Sequence, residues 1–152
     1  MITEFNQGAL LVVFGFYLSY IGYILFPAIG PRFTLHNFQL LGNELPGIFL
    51  TPYLREFINA GGGVGSGVNP MLHVHRDAFP SGHTQLTLTL MYIAFVNRTS
   101  IRWSLLVVGS LLIISTIYMR YHYVIDVLAG ILLFFVTIYF GKKIHRWWEN
   151  KA

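Results

Sequence analysis

An uncharged stretch separates Glu4 from Arg32, and it constrains the fold more than any other feature of the chain. No Asp, Glu, Lys or Arg occurs between these two residues. A transmembrane helix needs about 20 predominantly apolar residues to cross the hydrocarbon core of a bilayer. The stretch is therefore long enough to span a membrane, and we place the first helix from Gly8 to Ile29. Because it is too long for a signal-peptide core and lacks a basic start, we expect it to be retained.

Three further uncharged stretches follow, at residues 78–97, 103–119 and 127–141. The last is adequate for a span if its helix begins near His122. Only 11% of the 152 residues are charged, against roughly 25% in soluble domains, which argues against a soluble protein. We therefore predict an all-α integral membrane bundle. Residues 1–152 form a single domain with four transmembrane helices and no internal repeat.

The basic residues between the predicted helices set the orientation. The termini and the turn at 97–102 share one side of the membrane, and the long segment 30–79 lies on the other. The first side carries Arg98, Arg102, Lys142, Lys143, Arg146 and Lys151, and the second carries Arg32, Arg55, Arg76 and Arg120. Cytoplasmic loops are enriched in Lys and Arg, so we expect a multi-pass protein of the cell (inner) membrane with cytoplasmic termini. Trp147 and Trp148 make the basic tail an interfacial anchor rather than a nucleic-acid contact.

The long extracytoplasmic segment carries two local signals. A short interfacial helix can begin at residues 51–52, with Leu54, Phe57 and Ile58 following at helical spacing. The glycine-rich run at 61–67 lacks the Lys-Ser/Thr ending of a nucleotide-binding P-loop. We interpret this run as a flexible hinge.

A polar cluster precedes the second predicted helix, where charged and polar groups are costly beside a membrane core. Pro80 and Ser81 can start and cap a helix, and Gly82 lets a ligand approach the backbone. The N-terminus of a helix attracts an anion, and His83 lies in its first turn. Taken alone, these residues equally fit a helix cap with an interfacial histidine.

A second polar cluster changes that balance. His122 and Asp126 are four residues apart, so on a helix they share a face. The carboxylate can hold one ring nitrogen and leave the other free to attack. Such a pair is often structural, but its topology places it on the same membrane side as His83. Arg32 and Arg120 reach that side as well, and a guanidinium suits bidentate contact with phosphate oxygens.

Residues 79–83 and 120–126 resemble the second and third signature motifs of the type 2 phosphatidic acid phosphatase superfamily, whose core is similar to that of vanadium haloperoxidases. Residues 26–32 are similar to Phe-Pro-x-x-Gly-Pro-Arg sequences of the inositol-phosphotransferase-like branch. The resemblance implies a membrane lipid phosphate phosphatase that acts on a phosphomonoester or diphosphate through a phosphohistidine. It implies that His122 is the nucleophile, that Asp126 orients it, and that His83 is the acid and then the base.

The resemblance also implies a phosphate-binding set. These residues are Arg32, Arg120, Ser81 and Gly82, with Arg76 expected near the phosphate. No cofactor and no metal are required, because the arginines neutralise the phosphate. His73 and His75 are interpreted as plain loop residues, with a divalent ion or a lipid head group as the alternative. The chain has no cysteine, so thiolate metal sites and disulfides do not arise.

The chain departs from the family pattern in two motifs. The first motif usually has a Lys seven residues before an Arg-Pro, whereas this chain has Leu25 and reads Pro31-Arg32. The third motif usually has Ser-Arg where this chain has Ser115 and Thr116, and we expect Arg120 to supply the missing charge. The family plan has six spans and this chain matches roughly the last four. Two helices are then dispensable, or a homo-oligomer or helper subunit replaces them, or the chain is a shortened relative.

Several functions stay open at this point. A lipid phosphotransferase would pass the phosphoryl group to an alcohol such as inositol instead of water. A non-catalytic membrane scaffold or binding protein would use the polar clusters only to bind. Haem ligation is disfavoured, because it explains neither Ser-Gly-His nor His-x-x-x-Asp. The expected partners are a lipid phosphate and the bilayer, with no nucleic acid.

Overall fold

The computed structural model describes residues 2–35 and 74–151, together with Glu44, Leu45, Gly47, Phe49, Tyr53, Glu56 and Phe57. The described residues confirm the all-α prediction. Their helices are α1 (Ile2–Leu25), the short α2 (Pro31–Thr34), α3 (Gly82–Val96), α4 (Arg102–Tyr118) and α5 (Val124–Glu149). The predicted helix start at 51–52, the glycine-rich run at 61–67 and His73 lie outside the described residues.

Two of the described helices are long and apolar enough to cross a membrane, α1 over Glu4–Leu25 and α5 over Val124–Glu149. The apolar α4 is shorter, and α3 has 15 residues. Large apolar side chains such as Trp103, Leu111 and Phe135 are exposed on α4 and α5, as a lipid-facing surface requires. Four transmembrane helices therefore stay a prediction.

The helix boundaries differ from the predicted ones for local reasons. Helix α1 ends at Leu25 rather than Ile29, because Pro27 lacks an N–H donor and disfavours helical geometry in the residue before it. Helix α5 begins at Val124, with Tyr123 as its N-cap. The Asp126 carboxylate accepts a hydrogen bond from the Tyr123 amide at 2.7 Å and closes the first turn.

A buried polar cluster holds α1, α3 and α5 together. The Gln85 amide donates to the Gly15 carbonyl at 2.9 Å and to the Thr137 hydroxyl at 2.7 Å. The Ser19 hydroxyl donates to the Gln85 side-chain oxygen. Buried polar groups need partners, and hydrogen bonds between helices are a main source of cohesion in a bilayer. The cluster therefore fixes the rotation of α3, and with it the direction of His83 two residues earlier.

Candidate active site

Described segments from three parts of the chain meet where α1 ends and α3 and α5 begin. The Ala78 amide donates to the Ala28 carbonyl at 3.1 Å, so the segment before α3 follows the end of α1. The Arg32 amide donates to the Arg120 carbonyl at 2.9 Å. These backbone hydrogen bonds join polar clusters that lie 40 or more residues apart in the sequence.

Gly30 permits the close approach of the segment that contains Arg32 to the segment that contains Arg120. It is buried, and a β-carbon at this position would collide with the Tyr121 carbonyl oxygen. Its φ of −68° is open to any residue, so space rather than backbone freedom requires glycine here. Pro31 then starts α2 and directs Arg32 towards the site.

The two predicted catalytic histidines are in contact. His83 Nδ1 lies 3.2 Å from His122 Nε2, and the rings meet edge to face with their centroids 5.4 Å apart. His122 is 5% exposed, whereas His83 is exposed to solvent. The site therefore combines one buried and one exposed imidazole.

A backbone carbonyl is the nearest partner of the other His122 nitrogen. His122 Nδ1 lies 2.8 Å from the Ala78 carbonyl oxygen and 3.7 Å from the Asp126 carboxylate. A carbonyl oxygen only accepts, so Nδ1 carries the proton and Nε2 keeps its lone pair. The sequence predicts that Asp126 holds this nitrogen; in the structure Ala78 holds it, and Asp126 lies at ion-pair distance.

The protonation of His122 follows from its burial. Burial lowers the pKa of His122 below its usual 6.5, the Ala78 carbonyl opposes this shift, and His83 adds to it. The carboxylates of Asp126 and Asp77 also oppose it. The ring is consequently neutral at neutral pH, the state in which Nε2 can attack an electrophile.

A cavity of about 180 Å³ opens in front of the two histidines. Its polar lining includes Tyr23, Arg32, His75, Asp77, His83 and His122. Glycine and small or aromatic residues complete the wall. The volume is sufficient for a phosphoryl group with a few neighbouring atoms.

Arg32 supplies a cation to this cavity. Its guanidinium stacks on the Tyr121 ring at 4.1 Å and on the Phe33 ring at 4.4 Å from the centroid. Burial lowers the pKa of Arg32, and Tyr121 and Asp77 oppose the shift. An arginine nevertheless stays protonated in proteins, so Arg32 brings a positive charge to the cavity wall.

Two of the predicted phosphate-binding residues lie behind the cavity rather than on its wall. Ser81 is fully buried, and its hydroxyl accepts hydrogen bonds from the Thr84 amide at 3.3 Å and the Thr84 hydroxyl at 3.0 Å. Gly82 is buried against the Tyr23 hydroxyl. Both residues therefore build the start of α3, as the capping interpretation expects.

The other two predicted arginines also lie off the cavity wall. Arg120 forms an ion pair with Glu44, and its left-handed φ of 61° turns its carbonyl towards Arg32. Arg76 is exposed between His75 and Asp77, which both line the cavity. Successive side chains of an extended segment point to opposite faces, so Arg76 is directed away.

Sequence reasoning missed two tyrosines of the wall and gave His75 and Asp77 no role in the site. Tyr23 and Tyr121 line the cavity, but an aromatic residue at a helix end is more typical of a membrane interface. His75 and Asp77 also line the cavity, and their two-residue spacing is a signal for a shared face. Thr116, which stands where the family usually has arginine, is buried and donates to the Ile113 carbonyl at 2.7 Å.

Comparison with known proteins adds to this geometry. The sequence model of the PAP2 superfamily matches residues 4–140, which include both histidines. A PA-phosphatase related-family protein of Dictyostelium discoideum is 26% identical over 121 residues. The match covers 78% of this chain and 20% of that longer protein. No solved structure matches the chain significantly. Neither match singles out the inositol-phosphotransferase-like branch.

Proposed function

The chain belongs to the PAP2 superfamily, and from this premise we propose that it is a membrane enzyme that hydrolyses a phosphomonoester or diphosphate of an amphiphilic substrate. Membership supports phosphatase-like chemistry on lipid phosphates, and the apolar α1 and α5 indicate a membrane protein. The observation that carries the proposal is the pair of contacting histidines, His83 and His122, in one cavity with Arg32.

In the first step, His122 Nε2 attacks phosphorus and the bond to the leaving oxygen breaks. His83 gives its proton to that oxygen, and a phosphohistidine remains. The present 3.2 Å between the two nitrogens leaves no room for a phosphoryl group. The exposed His83 ring therefore moves aside when substrate binds, while the buried His122 keeps its place.

In the second step, neutral His83 takes a proton from water, and the water oxygen bonds to phosphorus as the P–N bond breaks. Inorganic phosphate leaves, and both histidines return to their starting states. Arg32 offsets the charge that develops on the phosphoryl oxygens, which is usually the largest catalytic term. The Ala78 carbonyl and the Asp126 carboxylate stabilise the imidazolium that exists while phosphate is attached to His122.

The arrangement in the membrane is part of the same proposal. We place four transmembrane helices with cytoplasmic termini and the cavity at the extracytoplasmic surface. Exposed apolar side chains on α4 and α5 support contact with lipid. The same surfaces are available to a second copy or a helper subunit that completes the family plan of six spans.

The test uses the full chain in detergent micelles or vesicles and measures phosphate release from a panel of lipid phosphates. His122→Gln is expected to lower turnover by about a thousandfold or more, in the range found for lost nucleophiles. His83→Gln should slow both steps. His145→Gln is the matched control, because His145 is buried near the opposite end of α5, 3.4 Å from Glu149.

A wild-type protein that carries an acid-labile phosphate on His122 during turnover supports the mechanism. Equal activities for His122→Gln and His145→Gln would refute it. Adding inositol or another polyol separates hydrolysis from transfer, because a transferase forms a new phosphate ester at the expense of phosphate release. A protein that binds lipid phosphates but forms neither product is a scaffold.

A further inference from the structure

A carboxylate stands in the proposed phosphate site. Asp77 belongs to the extended segment before α3. Its backbone pairs with that of Ala28, just beyond the end of α1, in an isolated parallel β-bridge. Asp77 is exposed, and it lines the same cavity as Arg32, His83 and His122. The bridge holds the backbone of Asp77 beside the site.

This carboxylate opposes the binding of anions. The charge of Asp77 acts on both Arg32 and His122, which are the groups expected to hold and attack the phosphoryl group. Among the described residues of the wall, Arg32 and Asp77 carry the permanent charges, and these two cancel. Arg76 and Arg120 lie off the wall, so they do not restore a positive excess inside it.

The position of Asp77 on the wall limits where a second phosphoryl group can lie. The same cavity of about 180 Å³ is lined by Arg32 and both histidines. One phosphoryl group in contact with Arg32 and the histidines therefore lies in the same cavity as the carboxylate. A second phosphoryl group would bring its charge beside Asp77, with no further described cation on the wall to offset it.

We propose that Asp77 is a specificity-determining residue that restricts this site to substrates with a single phosphoryl group and disfavours diphosphates. The inference rests on the proposed function and narrows its substrate class. One phosphoryl group can be held by contacts with Arg32 and the two histidines. A diphosphate adds negative charge that meets the carboxylate instead.

The first arm of the test compares a prenyl monophosphate with the diphosphate of the same prenyl chain. The wild-type protein should have the higher kcat/KM for the monophosphate. Asp77→Asn should raise the ratio of diphosphate to monophosphate kcat/KM about tenfold, as expected for removing one like charge at a partly exposed site. Asp77→Glu keeps the charge and should keep the preference. Glu149→Gln is the distant carboxyl-to-amide control and should leave the ratio unchanged.

The second arm measures binding of inorganic phosphate and inorganic pyrophosphate to the same variants by calorimetry, which does not depend on turnover. Asp77→Asn should tighten pyrophosphate relative to phosphate by about tenfold. An unchanged ratio in either arm overturns the role of Asp77, even if phosphate release is normal. A changed binding ratio without any turnover supports Asp77 as the selecting charge and refutes the proposed function.

Discussion

His122 Nδ1 lies 2.8 Å from the carbonyl oxygen of Ala78. This contact decides which ring nitrogen keeps its lone pair, because the proton stays on the nitrogen that faces the carbonyl. The carbonyl is itself held in place, since the Ala78 amide bonds to Ala28 at the end of α1. The orientation of His122 is therefore built from backbone that side-chain substitution does not remove.

Asp126→Asn is expected to reduce kcat by about ten- to a hundredfold, far less than His122→Gln, with little change in KM. The Ala78 carbonyl still orients the ring, while the charge that stabilises the imidazolium at 3.7 Å is lost. The asparagine oxygen can still accept from the Tyr123 amide, so the melting temperature should change little. Steady-state kinetics on the purified variants checks this. An Asp126→Asn protein as inactive as His122→Gln would show that the carboxylate, not the carbonyl, orients the nucleophile.

The acid limb of kcat/KM is expected to lie below pH 6.5, because burial lowers the pKa of His122 from that ordinary value and the neutral ring is the proposed nucleophile. The same shift affects stability with a defined sign. The unfolded chain binds more protons between the lowered folded pKa and 6.5, so the free energy of unfolding rises with pH across this interval.

The predicted rise in the free energy of unfolding can be tested without a substrate. Equilibrium unfolding is measured across that pH interval for the wild-type protein and for His122→Gln. The pH dependence attributable to His122 should be absent from the variant. An acid limb of kcat/KM at or above pH 6.5 would contradict a buried neutral nucleophile.

Arg32→Ala is expected to lower kcat/KM by about a hundredfold or more, as loss of a charged contact made to the phosphoryl group would. Arg120→Ala should lower it by less than about tenfold, because Arg120 pairs with Glu44 outside the cavity wall. Parallel assays of the two variants on one lipid phosphate give the comparison. A larger loss in Arg120→Ala would restore that residue as the main phosphate ligand.

Gly30→Ala is expected to destabilise the protein by about 1–3 kcal/mol, the usual range for overpacking, and to reduce turnover. Its new methyl group would collide with the Tyr121 carbonyl and separate Arg32 from the histidines. Gly8→Ala is the matched control, because its methyl group would meet Ile93 at an ordinary 3.5 Å. Thermal unfolding and kcat/KM of both variants provide the measurement. If Gly30→Ala matched Gly8→Ala in stability and activity, the backbone contact between Gly30 and Tyr121 would tolerate a shift.

The helices and the start of α3 are the parts that sequence reasoning predicted well. Uncharged apolar runs predict helices because the bilayer requires every backbone group to be paired within the segment. The capping role of Ser81 is also local, since it involves a residue three positions away. By contrast, the end of α1 moved from Ile29 to Leu25, where Pro27 overrides the apolar pattern.

The roles around the phosphate site were harder to predict, because they depend on which atoms of a residue face the cavity. Arg120 stands two residues before His122 in the sequence, yet its left-handed φ of 61° presents its carbonyl to Arg32 rather than its guanidinium to the site. Similarly, the carbonyl that orients His122 belongs to Ala78, whose side chain carries no chemical signal.

The sequence by itself determined that this chain forms apolar helices and carries two histidines with an arginine suited to a phosphate. These properties follow from composition, spacing and local capping, which act over a few residues. Only the tertiary structure decided that His83 meets His122, that the Ala78 carbonyl holds the His122 ring, and that Asp77 shares the cavity with Arg32. Those relationships arise from backbone bonds between segments 40 and more residues apart, and no local pattern encodes which atoms such bonds bring face to face.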